Sequence, residues 1–128
     1  MGGVVVFQLA DQVFGIPIEH VREILPIMQV TRPPQMPSDW YGIATIRAIV
    51  TPIIDLRLHM RLESKPLEVD TPIIVLQYEG RQIGILVDAV LYVLGYTSQA
   101  AVIQHAGQLI ITLEVATIFA KTPDIAER

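Results

Sequence analysis

The residues that could carry chemistry are few and scattered. There are three histidines, His20, His59 and His105, and none has a second His, Asp or Glu beside it at metal-ligand spacing within one predicted element. No metal site is expected from them. Ser38, Ser64 and Ser98 are the candidate hydroxyl nucleophiles, but none lies in Gly-x-Ser-x-Gly, the turn that lifts such a serine above a sheet. The chain has no cysteine, which excludes disulfides, thiolate metal sites and thiol nucleophiles. Gly2 and Gly3 are terminal, and Gly80 and Gly84 fit turn and packing duties, so no phosphate-cradling loop is present. Asp55 and Asp88 each follow an apolar run. Two such carboxylates could do acid–base work, but aspartates at strand ends usually accept N–H bonds from the next turn, and caps are expected. Neither a catalytic residue nor a cofactor is expected.

Glu23 and Arg47 form the remaining candidate constellation. Arg47 lies in the run Gly42 to Leu56, where almost every neighbour is aliphatic. A cation buried there needs a carboxylate partner or must break to the surface. Glu23 follows His20-Val21-Arg22, and the positions Ile18, Val21, Ile24 and Leu25 have helical spacing that Pro26 stops. Spacing alone leaves open whether the two charges touch or stand apart. Were they a buried pair, removing one member would destabilise the fold by about 3–5 kcal/mol.

The elements that must position these residues are short. At 128 residues, 52% of them hydrophobic, the chain suits one domain or two closely packed small barrels, with apolar surface left over for protein interfaces. Nine Lys and Arg against 13 Asp and Glu, net −4 and without a basic cluster, give nothing to hold nucleic-acid phosphates. Residues 89–113 contain no charged side chain, but Gly95, Tyr96 to Gln99, Gln104, His105 and Gln108 interrupt them, so no membrane span and no direct membrane insertion is expected. The N-terminus carries no basic leader pattern, and a cytoplasmic protein is expected.

Runs at 4–9 and 13–18 read as a hairpin. Strands are expected at 42–49 and 50–56, with Pro52 marking an edge strand or a bulge. A helical turn follows at 57–62, and Glu79-Gly80-Arg81 joins strands 72–78 and 82–87. Further strands at 90–94 and 109–113 precede a short helix at 114–120. About nine or ten short strands separated by turns indicate an all-β fold, a barrel or sandwich. The polar stretch 63–70 is the expected boundary between subdomains at about 4–65 and 66–122 of a single domain.

Five segments, in order, resemble the CheW-like adaptor domains. They are Phe7-Gln8-Leu9 with Phe14-Gly15-Ile16, Ile18 to Ile24, Gly42 to Arg47 with Pro52 to Leu56, Arg81 to Val90, and Leu109 to Phe119. The resemblance implies two packed five-stranded SH3-like barrels and no catalytic activity. It implies an adaptor that couples the cytoplasmic tip of chemoreceptors to the regulatory domain of a CheA-type histidine kinase, in chemotaxis or pilus-driven motility. It pairs Glu23 with Arg47 and places a receptor- and kinase-binding groove at Val21, Gly42, Gly84, Val90 and Val93.

The chain departs from the family pattern at Thr45 and Ala48, which replace the usual Asn and Gly. It departs again at Leu91-Tyr92, which replaces Ser-Asp, and in a shortened connection from 94 to 102. Leu91 and Tyr92 are expected to form an additional apolar interface, for a protein partner or a second copy of the chain. The alternative, a small-barrel module binding RNA or a small ligand, would need exposed aromatics beside basic residues.

Overall fold

The computed structural model describes residues 2–95 and 100–125. Among them are ten strands: β1 (Val4–Leu9), β2 (Gln12–Pro17), β3 (Val21–Pro26), β4 (Trp40–Ile46), β5 (Ile49–Asp55), β6 (Pro72–Tyr78), β7 (Arg81–Leu86), β8 (Ala89–Leu94), β9 (Val102–His105) and β10 (Gln108–Thr112). Two short helices, α1 (Leu56–His59) and α2 (Val115–Ala120), and a 3-10 turn at Ile18–His20 complete the set.

Three hairpins close through two consecutive left-handed residues, a geometry whose twist matches that of the flanking strands. They are Glu79-Gly80 (φ 47° and 78°), Ala106-Gly107 (49° and 77°) and Arg47-Ala48 (54° and 62°). Glycine takes the second position in two of them. In the third a Cβ must be tolerated there.

The strands form two five-stranded sheets, ordered β8-β1-β2-β10-β9 and β3-β6-β7-β5-β4. Each contains one parallel pair, β2 with β10 and β5 with β7, and is otherwise antiparallel. The fold is all-β, as expected. A boundary at 63–71 does not divide the sheets: β3 to β7 form one, inserted between the two halves of the other. Both β6 and β7 therefore pair within the sheet of β3, β4 and β5.

Side-chain alternation makes three cores from these two layers. Val4 and Val6 point into the first sheet's own interior with Val13 and Ile110. Ile53, Ile73, Val75 and Leu86 fill the second sheet's interior. The alternate residues, Val5, Phe7 and Leu9 on β1 and Ile54, Ile74 and Leu76 on β5 and β6, meet between the sheets with Trp40 and α2. Strands buried on both faces account for the unbroken apolar runs in the sequence. Each fully buried Ile or Leu contributes about 1.5–3 kcal/mol.

Two local expectations are corrected. Residues 21–26 form a strand, not a helix. The register on β6 slips between Val21 and Glu23, leaving Arg22 as the extra residue of a bulge. The bulge turns Val21 and Ile24 to the same face, which imitates helical spacing. Pro52 is not on an edge strand, because β5 lies between β4 and β7. Ile43, opposite Pro52, bonds through both its N–H and C=O to Thr31 (2.8 Å each), and pairing with β7 begins only at Ile53, so no ladder bond is lost.

Candidate functional site

Glu23 and Arg47 meet in a two-pronged ion pair, with Nε donating to Oε2 at 2.7 Å and Nη2 to Oε1 at 2.9 Å. Their positions differ from the sequence reading. Arg47 is at the tip of the β4–β5 turn, not inside a strand, and its side chain is 61% exposed against 16% for Glu23. The apolar run 42–56 is two strands joined at Arg47-Ala48, so the cation escapes burial. The contact has an architectural role. Strands β3 and β4 are the two outermost strands of the second sheet, and the pair fastens one to the turn at the end of the other. Arg47's hydrogen bonds hold the Glu23 carboxyl below its ordinary range, and the carboxylate raises the guanidinium in turn.

The turn is held from below by a residue that the sequence reading passed over. Buried Gln82 donates through Nε2 to the Ile46 carbonyl at 3.1 Å and to Thr51 Oγ1 at 2.9 Å. Gln77 donates to Gln82 Oε1 at 3.3 Å. A glutamine inside the apolar run of β7 was the available signal, since a buried amide demands partners.

Of the five residues assigned to the groove, two pack against the cluster between the sheets. Val21 begins β3, Val90 is the second residue of β8, and both are half-buried against the cluster between the sheets. Gly42 and Gly84 are buried. A Cβ on Gly42 would lie 2.4 Å from the Val30 side chain, and one on Gly84 2.8 Å from Ile73. These two glycines permit the close approach of Val30 and Ile73. Val93 is 51% exposed on β8, facing away from the half-buried Tyr92 and Leu94 that pack inside the first sheet.

The expected Leu91-Tyr92 interface splits in the same way. Leu91, the extra residue where the β1 register slips, is exposed, whereas Tyr92 turns inward with its ring 5.9 Å from that of His105. That contact brings together the first sheet's two edges, β8 and β9.

The CheW-like domain model matches residues 3–122. The chain belongs to the CheW-like domain family. It is similar to the chemotaxis protein CheW of Klebsiella aerogenes, 35% identical over 84% of this chain, and spans 64% of that protein's length. The probable chemotaxis protein CheW of Rhizobium etli is 33% identical over 86% of this chain and 70% of its own. Among solved structures, the scaffolding protein TtCheW from Thermoanaerobacter tengcongensis shares the fold. Its TM-score is 0.79 at 24% identity, covering 89% of this chain and 84% of that one.

Within this CheW-like domain, a second two-pronged pair went unread in the sequence. Arg57 on α1 donates Nε to Asp88 Oδ1 at 2.8 Å and Nη2 to Oδ2 at 2.6 Å. Asp55 caps α1 as expected, accepting the Arg57 N–H at 3.1 Å, and burial pushes its carboxyl upward. Contrary to expectation, Asp88 does not cap the turn that follows it; it accepts the Ala10 N–H at 2.9 Å from the distant β1–β2 turn, and the Arg57 bond lowers its carboxyl. His59 Nδ1 lies 2.7 Å from Asp39 Oδ2, and no group of metal-ligating residues occurs among the described residues. Among those residues, two arginines stack on aromatic rings, Arg32 on Tyr41 and Arg81 on Phe119. Arg81 is committed to the Phe119 and Thr122 carbonyls beside a buried ring. No described helix is long and apolar enough to cross a membrane. The shortened 94–102 connection includes residues 96–99, outside the described residues.

Proposed function

We propose that the chain is a non-enzymatic scaffold of chemosensory signalling, working in the cytoplasm. It would join a chemoreceptor's cytoplasmic tip to the regulatory domain of a CheA-type histidine kinase. The observation that carries this reading is the seam between the sheets, where Val21 and Val90 stand half-buried against one apolar cluster. Ile24 and Leu91, 41% and 42% exposed, lie on the same two strands. Half-exposed apolar side chains of this kind suit the apolar stripe of a helical partner. The names of the relatives, chemotaxis protein CheW and scaffolding protein, support the same reading.

The test is the affinity of the full chain for a receptor-tip fragment and for the kinase regulatory domain, with Val21→Asp and Val90→Asp beside the parent. Loss of binding with an unchanged fold supports the seam. Parent-like binding by both variants rejects it. Exposed Leu91 and Val93 are the corrected candidates for the additional contact, a second copy included. A Leu91→Asp, Val93→Ser chain should then sediment as a monomer under conditions where the parent associates.

A further inference from the structure

The described chain passes between the two sheets twice, from β2 to β3 through Ile18–His20 and from β7 to β8 through Val87 and Asp88. The crossings are built differently. At the first, the Ile18 N–H donates to the Gly3 carbonyl at 2.9 Å, and no side chain caps the turn. At the second, Asp88 is tied on both sides. Its N–H donates to the Gln8 carbonyl at 3.0 Å, and its carboxylate accepts the Ala10 N–H at 2.9 Å. Both contacts belong to β1 and its turn, in the first sheet. The same carboxylate takes the fork of Arg57, on the helix that continues β5 of the second sheet. Arg57 is itself steadied by donating Nη1 to the Glu63 carbonyl at 3.0 Å.

Val90 comes two residues after this anchor. Only Ala89 and Val90 settle against β1, on Gln8 and Phe7, before the register slips at Leu91. The stretch holding Val90 is thus fixed by the anchor at one end and interrupted by the bulge at the other. The ion pair is shielded, with side chains 16% and 13% exposed.

We infer that Arg57 and Asp88 are a positioning pair: they set where β8 lies on β1, and so where Val90 stands at the seam, without touching what binds there. The consequence for binding rests on the function proposed above. The placement of Val90 does not.

The test uses the full chain with isotope-labelled valine and leucine methyl groups and the variants Arg57→Met and Arg57→Lys. Arg57→Met should move the Val90 and Leu91 methyl signals while leaving those of Val21 near their parent positions. Its affinity for the receptor-tip fragment should fall about tenfold, the scale of one displaced interface anchor. Arg57→Lys keeps the charge and loses the fork, so the same signals should move less and binding should recover in part. If Arg57→Met does not fold, the Lys variant decides alone. Val90 and Leu91 signals that coincide with the parent's in a folded variant overturn the inference. So does lost binding without movement at Val90, which would mean that Arg57 touches the partner. A parent chain that binds neither fragment defeats the proposed function, and the methyl signals still judge the positioning.

Discussion

The two arginine–carboxylate forks have the same chemistry and nearly the same geometry, but they occupy opposite settings. Glu23–Arg47 sits on a hairpin tip with the guanidinium mostly in solvent, whereas both members of Arg57–Asp88 are largely shielded. An exposed pair is screened by water and salt and contributes little to stability, so its value is geometric. A shielded pair cannot lose one member cheaply, because the other is left with unmet hydrogen bonds. The clasp across β3 and β4 and the tie at the second crossing should therefore fail in different ways.

The largest difference is expected at the crossing. Arg57→Met should destabilise the fold by about 2–3 kcal/mol, between the figures for exposed and fully buried pairs, read by urea unfolding. An effect as small as that of a surface substitution would mean that Asp88 finds other donors.

Acid titration separates the groups next. The Asp88 carboxyl is held below its ordinary value of 3.8 by Arg57, so its contribution is fully present above that pH and is lost as pH falls further. Glu23, held below 4.5, behaves alike, with loss beginning near that value. Asp55 has the opposite sign: burial raises its pKa, so its charged form opposes folding at neutral pH and protonation relieves this as pH falls. Stability measured below pH 3.8 should thus fall less steeply in Arg57→Met than in the parent. Parallel acid limbs would contradict the assignment to Asp88.

A smaller gain is expected at the exposed turn. Ala48 has φ 62°, where a Cβ is strained, so Ala48→Gly should stabilise the fold by about 1 kcal/mol, seen as a raised Tm. No gain would mean that the Gln82 network already relieves the strain. The smallest stability change should follow Arg47→Ala, which opens the clasp without stranding a deeply buried charge. Its loss should appear in partner binding, and a melting drop as large as that of Arg57→Met would reverse the comparison.

What the sequence made legible follows the same physics. The β6–β7 hairpin could be read because Glu79-Gly80 places glycine at a left-handed position. The β4–β5 turn could not, since Arg47-Ala48 carries no such mark and sits in an apolar run. Val21 and Ile24 imitated a helix because the bulge at Arg22 is visible only once β6 is paired beside it. The division into sheets was hidden because alternation looks the same in either sheet. Nothing local shows that β1 and β2 rejoin β8 to β10 around an inserted unit. Arg57 and Asp88 are 31 residues apart, and no spacing rule links them, whereas Glu23 and Arg47 came together through the family resemblance. Gly84 was read for turn or packing duty, whereas Gly42 was legible only as a motif position, because its packing depends on Val30 lying over it.

The central claim is that the seam between the sheets receives a chemosensory partner. The most direct measurement is titration of the full chain with a receptor-tip fragment and with a CheA-type regulatory domain, comparing parent, Val90→Asp and Val69→Asp. The account predicts that the parent binds at least one of the two. Val90→Asp should lose that binding while remaining folded, and Val69→Asp, 90% exposed in the polar loop before β6, should retain it. Parent-like binding by Val90→Asp, or no binding by the parent to either fragment, would contradict it.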